Sequence, residues 1–284
     1  IVGGALRDAS GTWAPPETLW TGSVFDGYAE VTVVATGPSS FGVVFAPATA
    51  FYESTLWRVE ASDTSFGSAQ SFGTVSGYVR FAADAAPNGA AAVAMIQLSA
   101  KLDPTTFGGI TTVMTREAGQ PWSAPTEIGR LAGSGVTVNP ALAVDDSGVT
   151  TAAWLERREN PLNASEPSAV LVTSTSTPGS GWSPRGEQVI DHYSFTEVVA
   201  AATPDGDHVV VAAGSPTQDG TEPATAWTKT RAPDGSWSGF AAISSADGSF
   251  PTNLRLDVGA DGTSVFTAGH APASINGTSS GFDA

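Results

Sequence analysis

"NPALAVDDSGVTTAAW" (139–154) decides the fold. Two short apolar runs flank a turn that ends in Gly148. A glycine between β-prone runs signals a hairpin, because it accepts the positive φ that such turns need. The pattern returns at "VRFAADAAPNGAAAVAMI" (79–96), "TEVVAAATPDGDHVVVAA" (196–213) and "TNLRLDVGADGTSVFTA" (252–268). A fifth copy, "AEVTVVATGPSSFGVVFA" (29–46), lacks the Asp-Gly or Asn-Gly pair.

Between the hairpins lies a second landmark. "GTWAPPETL" (11–19), "TSFGSAQSF" (64–72), "QPWSAPTEI" (120–128), "SGWSPRGEQVI" (180–190) and "GSWSGFAAI" (235–243) each carry an aromatic anchor, then a return to apolar residues. The anchors Trp13, Phe66, Trp122, Trp182 and Trp237 are spaced by 53, 56, 60 and 55 residues. A hairpin gives two inner strands, A and B. The segment ending at the anchor gives strand C, and the one after it strand D. Four strands per repeat of this length predict an all-β chain, a five-bladed β-propeller. The chain starts on a C–D pair and ends on an A–B pair, so residues 1–23 and 251–284 make one blade split between the termini. That clasp closes the ring without an open edge. No sustained helical periodicity or linker interrupts the pattern, and residues 1–284 read as a single domain.

The opening "IVGG" resembles the start of an activated trypsin-like protease. That chemistry orders His, Asp and Ser along the chain. Here the nearest nucleophile-like stretch, Asp146-Ser147-Gly148, precedes His192, His208 and His270, and there are no cysteines for the usual disulfides. By alignment with 169–182 and 225–237, Ile1 instead opens a strand C. The net charge of −16 and pI near 4.3 exclude a phosphate-backbone partner such as nucleic acid. No apolar run is long enough to span a membrane, so membrane insertion is not expected. Scarce Lys, eight Trp and the acidic balance suggest an exported, extracellular protein. Three scattered histidines without Cys make no zinc site, the turn acids read as hairpin formers, and no cofactor is expected.

The residue nine positions before each hairpin glycine is polar: Arg80, Asn139, Glu197 and Asn253, with Glu30 by alignment. Its neighbours along the strands are mostly apolar. Strand A lines the channel, so these five residues form a ring at its mouth. A polar ring of this kind can be a wet structural girdle, with Glu30 and Arg80 as an ion pair, or a ligand pocket. Two residues earlier stand Tyr28, Tyr78, Thr137, Phe195 and Pro251, on the same side by strand alternation. Aromatics beside carboxylates and amides suit a sugar, although these rings also suit a core cap. Tyr193 in "DHYSF" (191–195), with Tyr52, Arg157, Arg158 and Asp219, extends the rim. A glycosidase needs two carboxyl groups across one bond, and Glu30 and Glu197 are the candidates. They lie on non-adjacent blades, and propeller glycosidases place three acids on adjacent blades where this chain has Glu, Arg and Asn. The expectation is therefore a non-enzymatic module.

The units "NPALAVDDSGVTTAAW … SAVLVTSTSTPGSGWSP" resemble the Trp-anchored repeats of secreted actinobacterial propellers, over essentially the whole chain. The set is similar to lectin-like propeller subunits, including those of streptomycete umbrella toxin particles. The resemblance implies a secreted module that binds a glycan or docks a partner protein at the top face. A pure protein-interaction scaffold and a five-bladed glycoside hydrolase are the alternatives.

Overall fold

A computed structural model describes residues 1–7, 10–22, 29–37, 40–50, 53–62, 65–76, 78–101, 107–132, 136–158, 168–190, 194–215, 225–243 and 250–271. Among them there is no helix, and every ladder is antiparallel. Strands β3 (Ala29–Gly37), β4 (Ser40–Ala50), β5 (Glu53–Ser62) and β6 (Gln70–Ser76) form blade 1 in that order. Blade 2 holds β7 (Tyr78–Ala85), β8 (Ala91–Lys101), β9 (Phe107–Arg116) and β10 (Thr126–Ala132). Blade 3 holds β11 (Val136–Val144), β12 (Thr150–Arg158) and β13 (Ser168–Thr177), with its outer strand in two pieces, β14 (Gly181–Trp182) and β15 (Gly186–Ile190). Blade 4 holds β16 (Ser194–Ala202), β17 (His208–Ser215), β18 (Thr225–Arg231) and β19 (Ala241–Ile243). Two two-stranded pieces remain: β1 (Val2–Gly4) with β2 (Glu17–Trp20), and β20 (Phe250–Val258) with β21 (Ser264–Ala271). This is a β-propeller architecture; the strand expected to open at Ile1 begins one residue later, at Val2.

The hairpin turns explain the repeat. In four copies the turn glycine donates its N–H three residues back: Gly89 to Ala86, Gly148 to Asp145, Gly206 to Thr203 and Gly262 to Gly259. Their φ angles are 91°, 80°, 86° and 80°, which L side chains rarely adopt. A type I turn closed by a left-handed glycine joins strands without splaying them.

The anchors explain the outer half. After Trp122, Trp182 and Trp237 stands a serine whose hydroxyl accepts a strand C N–H. Thr115 donates to Ser123 at 2.9 Å, Thr175 to Ser183 at 3.0 Å and Thr230 to Ser238 at 2.9 Å. The backbone of the same serine donates to the same threonine's carbonyl. This staple fixes the C–D turn, so the ring of the anchor is aimed between blades.

The core lies between the sheets. Ile96, Val113, Leu142, Trp154 and Val172 fill the space between blades 2 and 3. Leu155, Leu171, Val210 and Trp227 fill that between blades 3 and 4. Strand β12 sends Trp154 to one interface and Leu155 to the other. Inner strands are thus buried on both faces and read as continuous apolar runs. Three anchors pack toward the preceding sheet: Trp122 against the cluster of Val34 and Val44, Trp182 against that of Ile96 and Trp154, Trp237 against that of Leu155 and Trp227. Val2, Leu19 and Trp20 pack on Phe45 and Val59 of blade 1, and Leu254 and Phe266 pack with Val211 and Ala226 of blade 4. No pairing of β1 with β21 occurs among the described residues, and Trp13 is 65% exposed.

Candidate functional site

Strand A of each blade is the edge that faces the channel. Its outward N–H groups have no ladder partner and need another acceptor. Carboxylates of the preceding blade supply one twice. Asp84 of β7 accepts the N–H of Val144 at 2.7 Å, joining blade 2 to blade 3. Glu197 of β16 accepts the N–H of Leu254 at 2.7 Å, joining blade 4 to β20. Leu254 lies in a register shift of β20 between Thr252 and Arg255, which frees its amide from the ladder. Burial pushes the Asp84 carboxyl up to about 6, opposed by its bond to the Val144 amide.

Of the polar ring, Glu30, Arg80 and Glu197 have described side chains. Arg80 Nη1 donates to Glu30 Oε2 at 2.9 Å across blades 1 and 2, with both groups part-buried. Glu30 stands opposite Ala46, Arg80 opposite Ile96 and Glu197 opposite Ala213, one level of three inner ladders. Asn139 falls in a register shift of β11 between Val138 and Ala141, and Asn253 in that of β20. For Tyr78, Asn139, Phe195 and Asn253 the backbone is placed on a strand but the side chains lie outside the described set. Tyr28 and Tyr193, with Tyr52 and Asp219, lie outside the described residues altogether. The structure therefore sets a carboxylate–guanidinium pair and a backbone-capping carboxylate at equivalent registers of the inner ladders.

Two clusters were not anticipated from sequence. On blade 3, Glu156 is 1% exposed and accepts from Trp154 Nε1 at 2.9 Å, from Arg158 and from Arg185. Glu187 completes the group, accepting from Arg158 at 2.8 Å on both oxygens; that pairing holds its carboxyl below its ordinary range. Arg158 therefore belongs to this network, whereas Arg157 is exposed. The signal was present as "ERR" (156–158) and "RGE" (185–187), but only the β12–β13 and β13–β15 pairings show that they meet. The second cluster is buried. His208 Nδ1 lies 2.7 Å from Thr151 Oγ1, and its Nε2 lies 3.1 Å from Asp145 Oδ2. With His208 fully buried this trio has no access to a substrate; it bolts blade 4 to blade 3. Burial lowers the His208 pKa, against the pull of Asp145. Asp145 also accepts from the Ser147 and Val149 amides, so it is a hairpin former as expected. Among the described residues no group of His, Cys, Asp and Glu is arranged to hold a metal.

No protein-family model matches the chain, and no curated protein does. Solved structures do. The α-L-arabinofuranosidase of Fusarium graminearum, held with an iminosugar inhibitor, aligns with a TM-score of 0.50 at 14% identity, over 84% of this chain and 74% of that one. The α-L-arabinanase of Penicillium chrysogenum, complexed with arabinobiose, gives 0.45 at 12% identity over 70% of this chain, which spans 60% of that enzyme's length. A polysaccharide lyase gives 0.45 at 7% identity, over 94% of this chain and 54% of that one. At such identities the likeness is one of fold. The alignment that reaches a TM-score of 0.50 is with the α-L-arabinofuranosidase. That likeness runs against the expectation of a lectin-like module that binds a glycan without cleaving it, and favours the glycoside hydrolase that stood as the second alternative.

Proposed function

We propose that the chain is an exported glycoside hydrolase, a five-bladed propeller closed by its two terminal strand pairs, acting on a glycan at the channel mouth. An arabinofuranoside is the first substrate class to try, from the enzymes that share the fold. The carrying observation is the placing of Glu30 and Glu197 at one level of two non-neighbouring inner strands. A glycosidase sets one carboxyl as acid and another as base or nucleophile on either side of the scissile bond. Arg80 fixes the first carboxyl and the Leu254 amide fixes the second. Glu197 Oε1 makes no hydrogen bond among the described residues, which leaves it for a sugar.

The test is turnover of aryl α-L-arabinofuranosides and arabino-oligosaccharides by the wild type, Glu30→Gln and Glu197→Gln. Wild-type release of the aglycone should fall by roughly a hundredfold or more in each variant. Gln keeps an oxygen for the Leu254 N–H and for Arg80, so the loss reports chemistry rather than folding. A folded wild type that cleaves none of these, nor a panel of aryl pyranosides, rejects the proposal.

A further inference from the structure

On the face opposite the mouth, a cavity of about 610 Å³ opens between blades 1 and 2. That lies within the range of small-ligand pockets, about 300–1,000 Å³. Its wall includes Arg58 and Glu60 of β5, Arg116 at the end of β9, and Gln120 and Trp122 of the blade 2 turn. Both arginines share one carboxylate. Arg58 Nε lies 3.6 Å from Glu60 Oε1, and Arg116 Nη1 lies 3.5 Å from Glu60 Oε2. Trp122 Nε1 takes the better place on that carboxylate, donating to Oε1 at 2.9 Å.

Arg58 is held in position by Gln70 Oε1 at 2.9 Å and by the ring of Phe72, 4.9 Å away. Arg116 is not so held. Its one hydrogen bond among the described residues is the long contact to Glu60. Both Nε groups are buried without an acceptor. Guanidinium groups short of acceptors in a sheltered cleft favour an anion. Among the described lining residues, two cations against one carboxylate leave a single positive charge, in a chain of net charge −16. That balance suits a monoanion. The planar fork of Arg116 suits a carboxylate, which accepts two parallel N–H bonds. Beside it, Gln120, the Ser65 hydroxyl and the Trp122 indole are suited to hydroxyl groups and a sugar face.

We propose that this cleft binds the carboxylate of a uronic acid residue in an acidic glycan. The site is separate from the channel mouth and does not depend on hydrolysis there. Calorimetric titration of the wild type with digalacturonic acid at low salt, beside its methyl ester, tests it. The acid should bind and the neutral ester bind at least about tenfold more weakly. Arg116→Ala should cost about tenfold or more in affinity. Glu60→Gln removes the competing negative charge while keeping an acceptor for Trp122, and should tighten binding. Glu30→Gln, in the other site, should leave it unchanged. Failure of the acid to bind, equal binding of the ester, or weaker binding by Glu60→Gln would each overturn the proposal. So would inorganic phosphate binding as tightly as the acid.

Discussion

At the scale of the residue, the carboxyls of the channel wall answer to backbone geometry first. Asp84 sits where the N–H of Val144 has no ladder partner, and it bonds that amide at 2.7 Å. Its burial raises the carboxyl from 3.8 to about 6 in the fold. A raised folded pKa means stability that is complete below the unfolded value and lost as pH climbs through the folded one. Two pKa units correspond to about 3 kcal/mol at most. Asp84→Asn keeps an oxygen for Val144 and cannot ionise. Relative to wild type, the variant should therefore gain up to about 3 kcal/mol on moving from pH 3.5 to pH 8. Urea unfolding of both proteins at the two pH values reads that difference, and an equal shift in both would show that Asp84 does not titrate as described. This role was not legible in the sequence. Asp84 occupies an ordinary strand position, and only the neighbouring blade's edge gives it a partner. Glu197 was legible as a member of a repeated polar slot, but its bond to Leu254 depends on a register shift that no single-strand pattern records.

At the scale of the element, the repeat is written in turns. The glycine hairpins and the anchors could be found from sequence because each imposes a local requirement: positive φ at Gly148, a ring at Trp182. Inner strands buried on both faces read as apolar runs such as 152–155. What the pattern did not disclose is why serine follows three of the anchors. The Ser183 hydroxyl accepts the Thr175 N–H at 3.0 Å while its carbonyl accepts from Ser174. Replacing Ser183 by Ala removes the acceptor and leaves the Thr175 amide to water at the rim. The expected loss is about 1 kcal/mol. Ser123→Ala and Ser238→Ala should cost the same, since their hydrogen bonds have the same geometry. Ala14 stands at that place after Trp13, so Ala14→Ser should gain a few tenths of a kcal/mol. Denaturant midpoints of the four variants check the set. Unequal losses among the three serines would mean that the staple is not the shared device.

At the scale of the whole molecule, the question is how the two-stranded pieces meet. If both belong to one repeat, β1 and β2 supply its C–D pair and β20 and β21 its A–B pair. Apolar side chains remain exposed on β3 of blade 1 and on β21. On β3, Val34 packs toward blade 2, while Val31 and Val33 point the other way and are 48% and 59% exposed. On β21, Phe266 packs toward blade 4, while Val265 points away and is 53% exposed. Trp13, alone among the five anchors, is largely exposed, and by the rule of the others it belongs against the sheet of blade 4. These exposed valines and the unburied anchor have apolar area to gain by being covered, at about 25 cal/mol per Å². A ring closed in this way would make a sharp prediction about connectivity. If the terminal pairs form one blade, the chain tolerates being opened elsewhere and joined there. A circular permutant running 29–284 and then 1–28 places β1 and β2 directly after β21, with residues 272–284 as the link. It should fold cooperatively, with a Tm at or above that of the natural order and a blue-shifted Trp fluorescence as Trp13 is covered. A permutant that folds only partly, or leaves that emission unmoved, would show that the two pieces pack on their own blades without joining.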